Sequence, residues 1–537
     1  MAHATAPRQC REVLMKRNAA DASPTPAGRR EWIGLAVLAL PCLLYSMDLT
    51  VLNLALPRLS ADLAPSSSEL LWIVDIYGFL VAGLLIVMGN LGDRIGRRRL
   101  LLMGAAAFGL ASVLAAFSKS TGMLIAARAV LGVAGATIAP STLSLIRNMF
   151  LDPRQRTVAI GVWVSSYSVG GAIGPVLGGV MLQHFWWGSV FLVGVPVMAL
   201  LLVTGPVLLP EYRDATARPL DGWSAVLSLL AVLSVIFGVK QVAQEGLNAL
   251  GLVTLAAGVG MGIAFARRQR RLADPLIDLE LFREPAFGAS LGTYLLGTMV
   301  AFGSFVFVGQ YLQLVLGLSP LQAGLRTLPW SLGFILSSML VPPLARHIRP
   351  AYLMAAGLLV AAVGFGMLSQ LHALSLWGLV ASMLLTSVGL APVFTLATDL
   401  IVGAAPPARA GAASAISETS SELGGALGIA ILGSIGTALY RGSMRSVLVV
   451  GATSEAQAAA LDTLGGATAA AEGLPEVAGR ELLQAARTAF AHATEWTLIL
   501  CTAIALATAA LTVFTLRRVQ PRADGEPAAG SPSAVEH

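Results

Sequence analysis

Residues 69–91 read ELLWIVDIYGFLVAGLLIVMGNL, an apolar run long enough to cross a bilayer, with one aspartate, Asp75, set inside it. At 1.5 Å per residue, about 20 apolar residues span a hydrocarbon layer of ~30 Å. The rest of the chain repeats the pattern. Of its 537 residues 56% are hydrophobic and only 12% charged, with mean hydropathy +0.76, whereas soluble domains carry about 25% charge. The solvent is therefore lipid. The first apolar stretch runs from Trp32 to Pro57, too long for the apolar core of a cleavable leader, and reads as a span. Cys10 lies in a polar tail and Cys42 and Cys501 lie inside apolar runs, which gives neither a disulfide framework nor metal-ligand spacing.

Fourteen runs reach spanning length: 32–57, 71–91, 99–118, 122–148, 157–182, 188–209, 223–242, 247–266, 286–316, 321–345, 351–371, 375–403, 410–440 and 494–516. They are too long and too uniformly apolar for the alternation of a barrel strand. The expected class is an all-α integral membrane protein. Most of the 35 Lys and Arg fall in the N-terminal tail and in every second connection, so both termini are expected in the cytoplasm. The net charge of +6 follows from that topology and is no nucleic-acid footprint. Nor does any nucleotide loop, metal cluster or nucleophile constellation point to an enzyme. Residues 441–493 form one long connection, whose Ala-rich stretches SEAQAAALDTLGGATAAAEGL and PEVAGRELLQAARTAF read as an external hairpin of two amphipathic helices. The tails, 1–30 and 519–537, have a disordered composition.

Within this frame GNLGDRIGRRRLLLMG (Gly89–Gly104) resembles the loop signature of the major facilitator superfamily, and it falls between spans two and three, where that family has it. RAVLGVAG, from Arg128, is similar to the family's fourth-span arginine motif, and GGAIGPVLGG (Gly170–Gly179) to the fifth-span motif of its antiporters. MDLTVLNLALPRL (Met47–Leu59) and LWIVDIYGFLVAG further resemble the fourteen-span drug:proton antiporters, in particular exporters of quaternary ammonium compounds and methyl viologen. The likeness covers residues 30–518. It implies a six-helix half over 31–210, a linker with two inserted helices over 211–283, and a second six-helix half over 284–518 that includes the hairpin.

The same residues carry a physical reading. Gly89, Gly92 and Gly96 permit close helix approach and a tight turn, while Asp93 among Arg94, Arg97, Arg98 and Arg99 reads as a latch near a helix terminus. Positive-inside anchoring alone leaves Asp93 and the glycine spacing unexplained. Gly170, Gly174, Pro175, Gly178 and Gly179 read as a bending, closely packed helix at the interface between halves, or as ordinary small-residue packing.

Charges inside a bilayer cost ~2.5–3.5 kcal/mol each at its centre on insertion scales, so they mark function by default. Asp48, Asp75, Arg128, Glu418 and Glu422 qualify, the two glutamates sharing one helical face. A carboxylic acid in low dielectric keeps its proton until a cation replaces it or water returns. Aromatic faces would hold an organic cation through cation–π contacts, and Tyr45, Tyr77, Trp163 and Tyr167 are placed for that role or for packing. Trp72, Trp186 and Trp187 read as interfacial belt residues, and Asp399 as interfacial. Arg128 keeps two readings, an internal partner for an acid or, as the resemblance implies, a participant in proton transfer. Asp75 also keeps two: an exit-side acid facing the cavity of Asp48, or a structural partner of Arg128 or a hydroxyl.

What the resemblance implies is a proton-coupled antiporter that exports quaternary ammonium compounds, dyes, viologens and bis-biguanides by alternating access. It would work as a monomer in the bacterial inner membrane, with the proton gradient as energy source and without cofactor or metal. A proton-coupled transporter of an endogenous metabolite is the alternative. The chain departs from the pattern in having LPWSLGFILSS, without an acid, in span ten, and Ser417 beside Glu418 where a second glutamate can stand.

Overall fold

The structure, a computed structural model, describes residues 27–520 except 64, 66, 214–220, 246–247, 273–274, 278, 319, 371–374, 407–409 and 446–452. Only 27–30 and 519–520 of the two expected tails are included. Among the described residues there are helices and no strands. Fourteen helical segments among the described residues are long and apolar enough to cross a membrane.

The spans, by their helices, are one (Arg29–Leu63), two (Ser67–Ile95), three (Arg97–Ala116), four (Thr121–Gly135 with Ile138–Met149), five (Pro153–His184), six (Ser189–Leu192 with Gly194–Leu208) and seven (Gly222–Glu245). Eight (Ala249–Gln269), nine (Pro285–Gln310, ending in a wider turn at Tyr311–Val315), ten (Pro320–Leu344), eleven (Pro350–Leu368), twelve (Leu376–Ala404), thirteen (Ala410–Met444) and fourteen (Glu476–Leu516) follow. Several begin where local chemistry dictates. Asp152 accepts from the N–H of Arg154 ahead of Pro153, and Ser120 accepts from Met123 N–H, each satisfying an otherwise orphaned donor. The turn between spans two and three needs Gly96, whose φ of 111° lies in the region an L side chain avoids.

Packing repeats itself across the chain. Span one lies on five as nine lies on thirteen; two on four as ten on twelve; three on six as eleven on fourteen. Two apolar cores result, one built mainly from spans one to six and the other mainly from nine to fourteen. Between the halves the main contacts are span two with thirteen and span five with ten, which the same repeat relates to each other. Spans seven and eight form a hairpin of their own, and seven lies against both two and thirteen. Arg268 makes two hydrogen bonds to Asp221, at 2.8 and 3.0 Å, at the base of that hairpin. Hydrogen bonds from Arg268 and Ser224 hold the Asp221 carboxyl well below the usual carboxylate range.

Three boundaries differ from expectation. Span one is a single 35-residue helix, Arg29–Leu63, longer than the expected run 32–57, and Asp48 sits close to its middle. In place of a two-helix external hairpin, the first Ala-rich stretch breaks at Thr463 into Ser454–Asp462 and Leu464–Glu472, because Thr463 ends one helix in an extended conformation and caps the next. The second stretch is continuous with span fourteen, forming one 41-residue helix, since no breaker stands between Glu476 and Leu516. Trp187 is buried and donates to Asp62 at 2.7 Å, so it is not a belt residue, whereas Trp72 and Trp186 are exposed.

Candidate functional site

Half-way along span one, Asp48 faces Arg128 of span four at 2.5 Å. The guanidinium is buried at 1% exposure, with its Nε donating to the Ile73 carbonyl at 3.1 Å and its Nη2 to that of Val74 at 3.5 Å. It also lies 4.7 Å from the centre of the Tyr77 ring. One carboxylate, two carbonyls and a ring face thus keep a full charge inside the N-terminal half. An isolated charge there would be far more costly.

One turn before Asp48, Tyr45 points across to the other half and donates to Glu422 Oε1 at 2.7 Å. Span one and span thirteen are joined at this bond although 377 positions separate the partners. Tyr45 continues an aromatic row, with the rings of Tyr77 and Tyr167 each 5.9 Å away and Trp163 4.9 Å beyond Tyr167. Trp163 is buried and donates to Thr142 at 3.0 Å, so it supports the row from behind. One turn from Glu422, Glu418 has a buried Oε1 with no hydrogen-bond partner among the described residues. From the C-terminal half, Tyr294, Phe394 and Phe334 meet edge to face at 5.4 and 5.3 Å. The centre therefore holds acids from both halves, one bonded across the seam and one unpartnered, within an aromatic frame.

At the end that carries the basic loops, two contacts close the seam. Arg97 is fully buried, ion-paired with Asp93 and donating to the Gly89 carbonyl at 2.8 Å, and its guanidinium lies directly on Gly411 of span thirteen. A Cβ on Gly89 would stand 2.6 Å from Ala415 Cβ and from the Gly411 carbonyl, so only glycine admits this approach. On the related seam, Asp399 of span twelve receives Arg156 at 3.3 Å and Thr157 at 2.8 Å from span five. Asp399 is buried rather than interfacial, because its partners lie on the other half. Arg98 acts elsewhere, donating to the carbonyls of Pro206 and Leu209 at the end of span six. Arg99 is exposed.

Two expectations need correction. The fifth-span glycines do not form the seam between halves: Cβ atoms on Gly170 and Gly178 would run into the Leu43 carbonyl and Val51 of span one, inside the same half. A glycine of span five that does abut the other half is Gly161, where a Cβ would stand 2.8 Å from the Ser338 carbonyl. Gly174 is buried, and Gly179 has open space around it. Among the described residues Asp75, in turn, is bonded neither to Arg128 nor to a hydroxyl; it is ion-paired with Lys240 of span seven. Sequence reasoning missed Lys240, Arg156 and Gly411. Lys240 alone carried a signal, as a lysine near the end of an apolar span.

Residues 38–429 match the profile of the Major Facilitator Superfamily. The chain is 45% identical over 497 residues to the multidrug efflux pump LfrA of Mycolicibacterium smegmatis, covering 92% of this chain and 98% of that protein. It is 35% identical over 467 residues to the methyl viologen resistance protein SmvA of Salmonella typhimurium, covering 86% and 93%. Among solved structures, the human organic anion transporter MFSD10 superposes with a TM-score of 0.57 at 15% identity, over 90% of this chain and all of that one. A bacterial homologue of the lysosomal transporter Spinster superposes with a TM-score of 0.52 at 17% identity, over 91% and 99%.

Proposed function

The chain belongs to the Major Facilitator Superfamily and is a multi-pass membrane transporter rather than an enzyme; from that premise we propose that it exports organic cations in exchange for protons. The observation that carries the proposal is the Tyr45–Glu422 bond joining the halves beside the unpartnered Glu418. An acid that must be reached from both sides of a membrane belongs on such a seam, where rocking of the halves exposes it to each side in turn. When the seam opens at one end, Glu422 loses Tyr45, and either a cation or a proton then neutralises it. The aromatic row offers ring faces to the cation, each contact contributing ~0.5–2 kcal/mol. Asp48, already neutralised by Arg128, becomes available only when that pair opens, which supplies a second proton site in the N-terminal half.

Resistance to methyl viologen in one relative and multidrug efflux in another support organic cations as the cargo. Quaternary ammonium compounds, dyes, viologens and bis-biguanides are the classes proposed. The basic loops support a topology with both termini in the cytoplasm and operation in the bacterial inner membrane. The proton gradient is the proposed energy source, and the monomer the working unit. Everted vesicles test the reading: an imposed proton gradient should drive uptake of ethidium, and addition of ethidium or a viologen should release protons. Accumulation that ignores a protonophore would end the antiport reading.

A further inference from the structure

Asp75 and Phe79 lie one helical turn apart on span two, and both meet the same cation, the ammonium of Lys240 on span seven. The ammonium is ion-paired with the carboxylate and sits 4.8 Å from the centre of the Phe79 ring. Trp72 stands edge-on to that ring at 6.5 Å. A carboxylate beside aromatic faces is the arrangement that holds an organic cation. Here the chain fills it with its own lysine.

The way span seven arrives explains how this is possible. Gly83 of span two lets it approach, since a Cβ there would stand 2.6 Å from Leu229. Its other flank rests on span thirteen, so the lysine rides on a helix that touches both halves. The pair is not sealed: the side chains of Lys240 and Asp75 keep 37% and 22% exposure. Arg128, by contrast, is buried and committed to Asp48. A lysine on four rotatable bonds can leave its carboxylate without moving a helix.

We infer that Asp75, Phe79 and Trp72 form a second organic-cation site, and that Lys240 is a tethered competitor which decides which cations enter it. The inference rests on the export of organic cations proposed above. A small monovalent ammonium offers nothing that Lys240 lacks and does not displace it. A flat aromatic cation gains the faces of Phe79 and Trp72 as well as the carboxylate, and an aromatic dication gains more charge besides. The site therefore favours aromatic, multiply charged cargo.

The test uses the purified full-length protein in lipid nanodiscs, with methyl viologen and tetraphenylphosphonium as probes. Lys240→Gln should raise the affinity of a second saturable methyl viologen site about tenfold, the order expected from losing one cation–π contact and one part-exposed ion pair. Asp75→Asn should abolish that gain, and Lys240→Arg should behave as wild type. The gain should persist in a Glu418→Gln/Glu422→Gln background, which lacks the central acids. A measurement on wild-type protein guards against misfolded variants: saturating methyl viologen should increase modification of Lys240 by an amine-reactive label, read by mass spectrometry, as the lysine is displaced. Unchanged labelling, or a Lys240→Gln gain that survives Asp75→Asn, overturns the inference while leaving export intact. Failure of wild-type protein to bind or export either probe would instead sink the functional reading, and this inference with it.

Discussion

Adding a single methyl group at Gly411 should change which side of the transporter is open. A Cβ there falls on the Arg97 guanidinium, which is fully buried, ion-paired with Asp93 and bonded to the Gly89 carbonyl at 2.8 Å. Two responses are available to Gly411→Ala. Arg97 can surrender its partners, and breaking a buried ion pair costs ~3–5 kcal/mol. Alternatively, span thirteen can stand off from span two, which costs the overpacking penalty of ~1–3 kcal/mol. The second is cheaper, and it is paid only in the state whose seam is closed. The ratio of seam-open to seam-closed molecules should thus rise about 5- to 150-fold.

Pulsed electron–electron distances would show it. Spin labels at cysteines replacing Leu151 and Ile348, both exposed at the basic-loop end on opposite halves, would be placed in a background without native cysteines. Gly411→Ala should shift their distance distribution to the longer population. Gly433→Ala, on the same helix with nothing within 4 Å of the added carbon, should not. If both variants give the wild-type distribution, the seam contact does not set the conformational equilibrium.

Asp48→Asn leaves the Arg128 charge buried with only carbonyls and a ring; it should lower stability by ~3–5 kcal/mol at most and abolish export of every cation. Dye efflux together with thermal unfolding in detergent checks both, and full resistance in cells would remove Asp48 from the mechanism. Tyr45→Phe deletes the 2.7 Å bond across the seam, and the loss of ~1.5–3 kcal/mol should speed exchange between states while leaving Glu422 able to take a proton, read as faster proton release per added cation. Glu418→Gln should uncouple proton movement from export more completely than Glu422→Gln, because Glu418 has no bond from Tyr45 to hold its charge state; a pH-gradient assay giving the reverse order would exchange their roles. The Asp221–Arg268 pair contributes stability that is present above the unfolded carboxyl value of 3.8 and is lost as pH falls toward the lower folded value. The melting difference between wild type and Asp221→Asn should therefore hold from neutral pH to about 5 and shrink below 4.

The number of spans was legible because a bilayer permits so few solutions: a run of ~20 apolar residues has to be a helix, and every one of the fourteen runs is. The intramembrane acids were equally plain, since the cost of burying them leaves few innocent explanations. What the residues could not carry was partnership. Arg128 reaches Asp48 across 80 positions, Glu422 reaches Tyr45 across 377, and Lys240 reaches Asp75 across 165. No periodicity encodes such distances, because they are set by which helix faces meet. The glycines show the same limit in apolar form. Gly170 and Gly161 lie on one helix with equal claim to a close contact, yet one meets span one and the other span ten. Small residues announce that something approaches, and only packing says what.

Asp75 shows why this matters for mechanism. Read alone, an acid in the outer part of span two is a binding charge, available to a dication from the moment it arrives. Paired with Lys240 it presents no net charge, and a cation gains from it only by outcompeting an ammonium already in place. Selectivity at that position is then set by the difference between cargo and lysine, not by the carboxylate alone. Replacing Asp75 by Asn should accordingly cost little for small monovalent cations, which never displace Lys240, and most for aromatic dications such as methyl viologen. Efflux of matched mono- and divalent dyes at equal surface expression measures the difference. Equal losses for both would mean that the pair only ties span seven to span two.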